Sequence, residues 1–233
     1  MLAKNLKLHL TETVESVLKT SIYTYKSDPE ILYISDFLTE AECDHIKYIC
    51  TADYSAAHHA DELAVDTKSF MCYTWRHSFY QNEILKNCCS RLAFAIGYDL
   101  DFAEKLEVRK FEPMGFYNKM CDYISEDEDL LQFGSCDEFP DMAYENLAEN
   151  SRQLAPCGNR IGAVTFFLNS HDTSKLIYKD LNVPHFKPVQ GTVLFNNIEE
   201  DNIVYDVATN MSDEPMWMAR LLFREYPRRR EEF

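Results

Sequence analysis

The chain has 233 residues, of which 46% are apolar and 27% are charged, with six glycines and eight prolines. This composition is typical of one globular domain and excludes a disordered, fibrous or repeat protein. No apolar run approaches the ~20 residues that a membrane-spanning helix requires. The net charge of −16 makes nucleic acids and anionic membranes unfavourable partners.

Residues 1–28 are the first segment, and their spaced leucines and valines give a partly helical pattern. We expect a peripheral helical segment there, followed by a single domain over residues 29–233. The opening residues contain Lys4 and Lys7 where a secretory signal would have an unbroken apolar core. We therefore expect no export signal in this sequence.

A strand and a capped helix are predicted next. Ile31-Leu32-Tyr33-Ile34 is typical of a strand, and Thr39-Glu40-Ala41-Glu42 has the capping-box pattern. The helix should reach about Cys50 and bury Cys43, Ile46 and Cys50. The polar stretch 52–67 is predicted to be a loop. It contains His59-Ala60-Asp61, an H-x-D match that we interpret as a solvated pair because two fixed letters occur often by chance.

A second helix is predicted from Gln81 to Ile96, with Gly97 as its left-handed end. The period then changes to short β-branched or aromatic runs separated by turn residues. These predicted strands are 106–111, 163–168, 176–178, 192–195, 202–205 and 217–223. Helices followed by many short strands predict a mainly β, α+β protein: an antiparallel double sheet with a helical layer on one side.

An acidic insertion interrupts the strands over residues 125–152, with nine Asp or Glu against one Arg. We interpret it as a solvated loop with a short helix. The eight cysteines form no C-x-x-C pair, so the sequence does not predict a zinc site.

Several segments together resemble the catalytic domain of prolyl 4-hydroxylases, which are Fe(II)- and 2-oxoglutarate-dependent oxygenases. The resemblance covers roughly residues 29–225. Its segments are 29–39, 105–117, Asn159-Arg160-Ile161, Phe167-Leu168-Asn169, 191–195 and Trp217 to Glu225. It implies a jelly-roll (double-stranded β-helix) domain flanked by helices.

The chemistry of that family depends on a few groups. Two histidines and one carboxylate bind one face of Fe(II), and the other positions take 2-oxoglutarate and O2. The resemblance places the H-x-D motif at Met120-Cys121-Asp122 and the distal histidine at Asp206. It places the 2-oxoglutarate lysine at Met216 and a tyrosine at Phe111. Asp122 is thus the only retained ligand position.

These replacements predict that neither metal nor cosubstrate is held. A thioether is a soft ligand unsuited to Fe(II), and a buried carboxylate without a cationic partner is unfavourable by several kcal/mol. The alternative is an active peptidyl-proline 4-dioxygenase with altered ligands, using Fe(II), 2-oxoglutarate and ascorbate. In that case Asp122 and Asp206 would bind metal, and Arg220 would supply the missing positive charge.

For the degenerate protein, the resemblance implies a peptide- or partner-binding module. Aromatic and scaffold positions persist, namely Trp75, Tyr117, Arg160 and Trp217, which we assign to a peptide cleft. The expected partner is a proline-rich peptide or another protein, including an active relative. The family resemblance implies the lumen of the endoplasmic reticulum, which the absence of a signal in this sequence opposes.

Overall fold

The computed structural model describes most of the chain: residues 20–52, 57–60, 69–121, 159–179, 181–198 and 205–226. Its ten strands and two helices follow one another in this order: β1 Ser21–Ser27, β2 Glu30–Ser35, α1 Glu40–Thr51, β3 His58–Ala60, β4 Ser69–His77, α2 Glu83–Ile96, β5 Leu106–Cys121, β6 Arg160–Phe167, β7 Lys175–Lys179, β8 Val193–Asn197, β9 Tyr205–Thr209 and β10 Met216–Arg224. Short 3₁₀ turns precede α2 and β5.

Eight strands form a large sheet in the order β1-β2-β8-β6-β10-β5-β4-β3. Every strand pair in it is antiparallel. A smaller sheet consists of β7, β9 and the distal part of β5, because β9 pairs with both β5 and β7. Together the two sheets form the predicted jelly roll, which is thereby confirmed.

The long strand β5 joins the two sheets through a bend. Met114 has φ 65, and a Cβ on Gly115 would lie 2.6 Å from the carbonyl oxygen of Met71. A side chain at Gly115 would therefore collide with backbone. The fully buried Asn210 holds the bend, because its amide nitrogen donates to the carbonyl oxygens of Phe111 and Glu112, each at 3.0 Å.

The helices cover one face of the large sheet. Thr39 and Glu42 form the predicted capping box of α1, and Asn82 caps α2, which ends at Gly97 in the left-handed conformation. The turn into α1 is fixed by Gly191, whose carbonyl oxygen accepts from the backbone N–H groups of Phe37 and Leu38. Gly191 has φ 80, and a Cβ there would lie 2.3 Å from the carbonyl oxygen of Leu38. No side chain fits at that position.

Two apolar clusters lie on the two faces of the large sheet. The helix-side cluster joins α1 and α2 to the strands and includes Trp75, Val108, Phe166, Trp217 and Ala219. The interior cluster lies between the two sheets: Ile31, Cys72, Phe111, Tyr117, Phe167, Leu176, Tyr178, Phe186, Leu194, Ala208, Met216 and Met218. The alternation along each strand sends neighbouring residues to opposite clusters.

Most predicted elements are confirmed, and two are wrong. The predicted strand 202–205 lies outside the described residues except for Tyr205, where β9 begins. Ser21–Ser27 is strand β1, not helix, because Ile22, Tyr23 and Thr24 continue a β-prone pattern that pairs with β2. The predicted loop over 52–67 contains β3, so His59 and Ala60 lie on a strand paired with β4. Asp61, the acidic insertion and residues 1–19 lie outside the described residues. Among the described helices, none is long and apolar enough to cross a membrane.

Candidate functional site

The two predicted replacements of the metal histidines come together in the smaller sheet. Met120 on β5 pairs directly with Asp206 on β9, and Asp206 also pairs with Tyr178 on β7. Directly opposed residues in an antiparallel pair have Cα atoms about 4.5–5.5 Å apart. The backbone register thus makes Met120 and Asp206 neighbours, while Asp122 lies just beyond the described part of β5.

The two predicted cosubstrate positions are also neighbours. Phe111 on β5 pairs with Met216 on β10, and Cys72 on β4 is the next partner in the same row. All three belong to the interior cluster, with exposures of 0% for Phe111 and 1% for Met216. Burial raises the pKa of the Cys72 thiol to about 11, with nearby Arg109 partly offsetting the increase. This row of the interior is therefore apolar and neutral.

Tyr117 lies beyond the bend of β5 and contacts both an apolar residue, Phe111, and a charged residue, Arg109. Its ring is 5.7 Å from the ring of Phe111, and the guanidinium of Arg109 lies over it at 4.9 Å. Such cation–π contacts are stronger where water is excluded, and Tyr117 is fully buried. Tyr117 thus marks the boundary between the apolar row and a charged region.

The charged region occupies the other end of the same sheet face. Arg220 on β10 pairs with Glu107 on β5, which pairs with Arg76 on β4. Arg220 is buried, and Arg109 binds Glu107 through two guanidinium nitrogens, with Nε 2.5 Å from Oε1. Along β5, β10 and β4 the interior face therefore changes from apolar to ionic within two residue pairs.

The glutamate in this region stays ionised. Burial alone would raise the pKa of Glu107, but the charges of Arg109, Arg76 and Arg220 outweigh burial and lower it. The predicted substitute Arg220 thus lies near a permanent carboxylate of the chain itself. It shares the interior face with Met216 but lies four residues further along β10.

The four side chains assigned to a peptide cleft do not share one surface. Trp75 and Trp217 stack with ring centroids 5.6 Å apart, and both are buried in the helix-side cluster. Tyr117 belongs to the interior cluster. Arg160 is buried at the start of β6, where it donates to both carboxylate oxygens of Glu104 at 2.8 and 3.0 Å. The structure brings together the two tryptophans alone.

A tightly held iron site needs three convergent hard or borderline donors. Within the described residues, no group of three His, Cys, Asp or Glu side chains could hold a metal ion. The positions that the resemblance assigns to two of these donors carry Met120 and Asp206. At the predicted cosubstrate positions, Phe111 and Met216 offer no charge to a carboxylate. Phe111 and Met216 do not fit the charge of 2-oxoglutarate, and we derive no step through it or through Fe(II).

Sequence reasoning missed two parts of this site. Glu107 and Arg109 alternate with Leu106 and Val108 along β5, and that alternation was a signal that the two charged residues share a face with Phe111. Asn210, whose side-chain oxygen accepts from Ser174 and from the backbone of Ser212, carries no signal in a single sequence.

No family model and no curated protein matches the sequence. Solved structures do match the fold. The viral collagen prolyl hydroxylase of Paramecium Bursaria Chlorella virus-1, in a 2OG complex, has a TM-score of 0.55 at 12% identity over 83% of this chain and 95% of that one. A prolyl-4-hydroxylase from Pseudomonas putida has a TM-score of 0.53 at 12% identity, covering 92% and 98%. A 2OG-Fe(II) oxygenase family oxidoreductase from Burkholderia pseudomallei has a TM-score of 0.50 at 10% identity, covering 95% and 92%. These likenesses show a shared dioxygenase fold.

Proposed function

We propose that this chain is a prolyl 4-hydroxylase-like protein that has lost the oxidative chemistry and serves as a peptide- or partner-binding module. The observation that supports it most is the buried pair of Phe111 and Met216 at the two cosubstrate positions. A dicarboxylate placed there would meet an aromatic ring and a thioether. Burying its charge without a partner is unfavourable by several kcal/mol.

The metal positions support the same proposal. Met120 and Asp206 are adjacent in the register, as two residues that replace ligands of one ion would be. One thioether with one or two carboxylates is a poor set for Fe(II), since soft and hard donors favour different metals. The retained Asp122 is the single position that remains of the family's ligand set.

A thermal-shift assay tests the loss of metal and cosubstrate. Mn(II) with 2-oxoglutarate is added to the purified chain and, as a positive control, to the viral collagen prolyl hydroxylase. A ligand that binds only the native state raises the midpoint, so the viral enzyme should shift and this chain should not. A dose-dependent shift that disappears in Asp122→Ala would overturn the proposal.

The alternative function, an active dioxygenase with altered ligands, has one observation in its favour. Arg220 is buried on the interior face of β10, the face that also carries Met216, and arginine can bind a carboxylate through two nitrogens. Succinate release from 2-oxoglutarate with Fe(II) and ascorbate, lost in both Asp122→Ala and Arg220→Met, would establish this function. Arg220→Lys is the matched variant that keeps the charge.

Binding is tested separately from chemistry. Isothermal titration with short proline-rich peptides should give a saturable heat with the wild-type chain. The partner can also be an active relative, in which case co-expression should give a stable hetero-oligomer. Absence of heat with every peptide, together with no complex, would count against a binding module.

A further inference from the structure

An aromatic patch lies at the β1 end of the large sheet, away from the inherited metal and cosubstrate positions. We define it by Tyr23 and Tyr25 on β1, Tyr33 on β2, and Phe186 in the segment before β8. Tyr23 and Tyr25 are 55% and 45% exposed, although both rings contact other aromatic rings. Exposed aromatic side chains grouped in this way are typical of interaction surfaces.

The rings of this patch are held in fixed relative positions. The ring of Tyr25 stands edge-on to Phe186 at 5.0 Å and to Tyr33 at 6.1 Å. Tyr33 and Phe186 are stacked at 6.4 Å, and Phe186 continues inward to Tyr178 of the interior cluster. Tyr25 therefore rests on the buried ring of Phe186 and Tyr23 on the half-buried ring of Tyr33, so a ligand would order few rotamers on binding.

The backbone around the patch also fixes it. The β1–β2 register shifts between Thr24 and Lys26, so Tyr25 lies at a bulge, a feature that re-aims side chains at sheet edges. Phe186 is held by two backbone hydrogen bonds with Leu176, at 2.8 and 2.9 Å. The patch is thus part of the folded jelly roll and needs no rearrangement to bind.

The net charge of the chain favours a cationic ligand. The β1–β2 hairpin carries Asp28, Glu30 and Asp36 against Lys26. Lys187 lies beside Phe186, and the exposed Lys175 lies beside Leu176, which binds the backbone of Phe186, so these local charges balance. The whole chain nevertheless carries a net charge of −16. A positively charged partner would therefore be attracted at long range.

We propose that this aromatic patch binds a basic, proline-rich peptide in the polyproline II conformation. Surfaces lined by aromatic rings recognise such peptides, because proline rings pack on aromatic faces and the extended helix is already ordered. This inference rests on the proposed function as a peptide-binding module. It places the peptide at the β1 edge of the large sheet and not in the cleft assigned from the family resemblance.

The test uses fluorescence anisotropy with a short labelled peptide of Pro-Pro-Lys repeats and the full chain. Tyr25→Ala and Tyr23→Ala should each weaken binding by about tenfold, as expected for aromatic hot-spot residues. Tyr25→Phe keeps the ring and should bind nearly as well as the wild type. The matched control is Tyr48→Ala on α1, which removes a tyrosine that is 68% exposed outside the patch and should change nothing.

Two further peptides test the ligand chemistry. A Pro-Pro-Glu repeat should bind more weakly than the Pro-Pro-Lys repeat, and added salt should reduce this difference in affinity. A Gly-Ser-Lys repeat has the same charge without proline, and it should not bind. Equal binding of the Gly-Ser-Lys and Pro-Pro-Lys repeats would mean that charge alone recruits the peptide, which contradicts the proposal.

The possible failures are distinguishable. If the wild-type chain binds the Pro-Pro-Lys repeat and the Tyr23 and Tyr25 variants bind it equally well, the patch is not the site, although the peptide-binding function stands. If no proline-rich peptide binds the wild type, both proposals fail. If the chain forms a dimer that Tyr25→Ala dissociates, a second copy occupies the patch and this inference is overturned.

Discussion

The two faces of the large sheet differ in a way that separates fold from chemistry. The face under the helices is mainly apolar, from Trp75 and Trp217 to Phe223, and its charged residue Lys110 lies over the ring of Trp217. The face toward the smaller sheet begins with Phe111 and Met216 and ends with the ion pair of Arg109 and Glu107. A mainly apolar face is what packing of helices on a sheet requires.

The difference bears on the proposed loss of oxidative chemistry. Structures with 10–12% sequence identity share this fold, and the helix-side face supports it whatever the interior contains. The interior carries the positions that the resemblance assigns to iron and 2-oxoglutarate. The row of Phe111, Met216 and Cys72 in this interior is filled with apolar side chains, which pack without the conflict between stability and an open polar site.

The largest expected effect is that of Met216→Lys, which places a cation at the position that the resemblance assigns to the 2-oxoglutarate lysine. We expect a loss of about 4 kcal/mol at neutral pH, because a lysine buried among apolar side chains has a pKa lowered by several units. The unfolded state then binds more protons, so the stability of this variant should rise with increasing pH relative to the wild type. Urea denaturation at several pH values measures both effects.

Met216→Leu is the matched control, since it keeps the volume without charge and should cost less than about 1.5 kcal/mol. A Met216→Lys protein as stable as the wild type would mean that the interior has a partner or water for the cation. The two faces would then not differ in the way described, and the proposed loss of cosubstrate binding would be weakened.

Trp75→Ala tests the helix-side face. The indole is 1% exposed and stacks on Trp217, so its removal should cost about 3–5 kcal/mol through lost contacts and the cavity left behind. Denaturant unfolding measures this, and Tyr48→Ala, at an exposed position, should remain within about 0.5 kcal/mol of the wild type. A small effect at Trp75 would show that this face does not carry the stability of the fold.

Glu107→Gln tests the charged end of the interior. It removes the carboxylate that binds Arg109 and lies beside Arg220, leaving like charges close together, and should cost about 3 kcal/mol at neutral pH. The folded-state pKa of Glu107 is lowered, so its contribution is present above the ordinary glutamate pKa and disappears as pH falls through the lowered value.

The wild type and Glu107→Gln should therefore converge in stability as acid protonates Glu107 in the wild type. Urea unfolding between neutral pH and about pH 3, below the ordinary glutamate pKa, follows this convergence. A difference that stays constant with pH would show that Glu107 acts through packing and not through its charge.

The sequence predicted the elements well where local chemistry determines them. The capping box at Thr39, the end of α2 at Gly97 and the strands after residue 105 all depend on neighbouring residues. The helix predicted before residue 28 failed because Ser21–Ser27 forms β1 by pairing with β2, a contact that no local pattern specifies. Local sequence patterns miss elements that are determined by pairing with distant segments of the chain.

The candidate site was predictable only in part for a related reason. The resemblance assigned Met120 and Asp206 to the metal and Phe111 and Met216 to the cosubstrate, and the register makes the members of each pair neighbours. It did not distinguish the two faces of the sheet, so Trp217 and Tyr117 were assigned to one cleft although they belong to opposite clusters. The ion pair of Glu107 and Arg109 was missed for the same reason, because its position depends on the alternation of side chains between the two faces.

The smallest expected effect tests whether the two faces unfold separately. Thr39→Ala removes the oxygen that accepts from the backbone N–H of Glu42 at 3.2 Å, and the loss of such a cap costs about 1 kcal/mol. Arg91 would still bind Glu42, so α1 and α2 should remain joined. Hydrogen exchange should therefore accelerate in α1 while the amides of β5 keep their protection, and Thr39→Ser should restore the wild-type pattern. Equal loss of protection in β5 would mean that the helix layer and the jelly-roll interior open as one unit. If the two opened separately, removal of the cap of α1 would leave the hydrogen exchange of β5 unchanged.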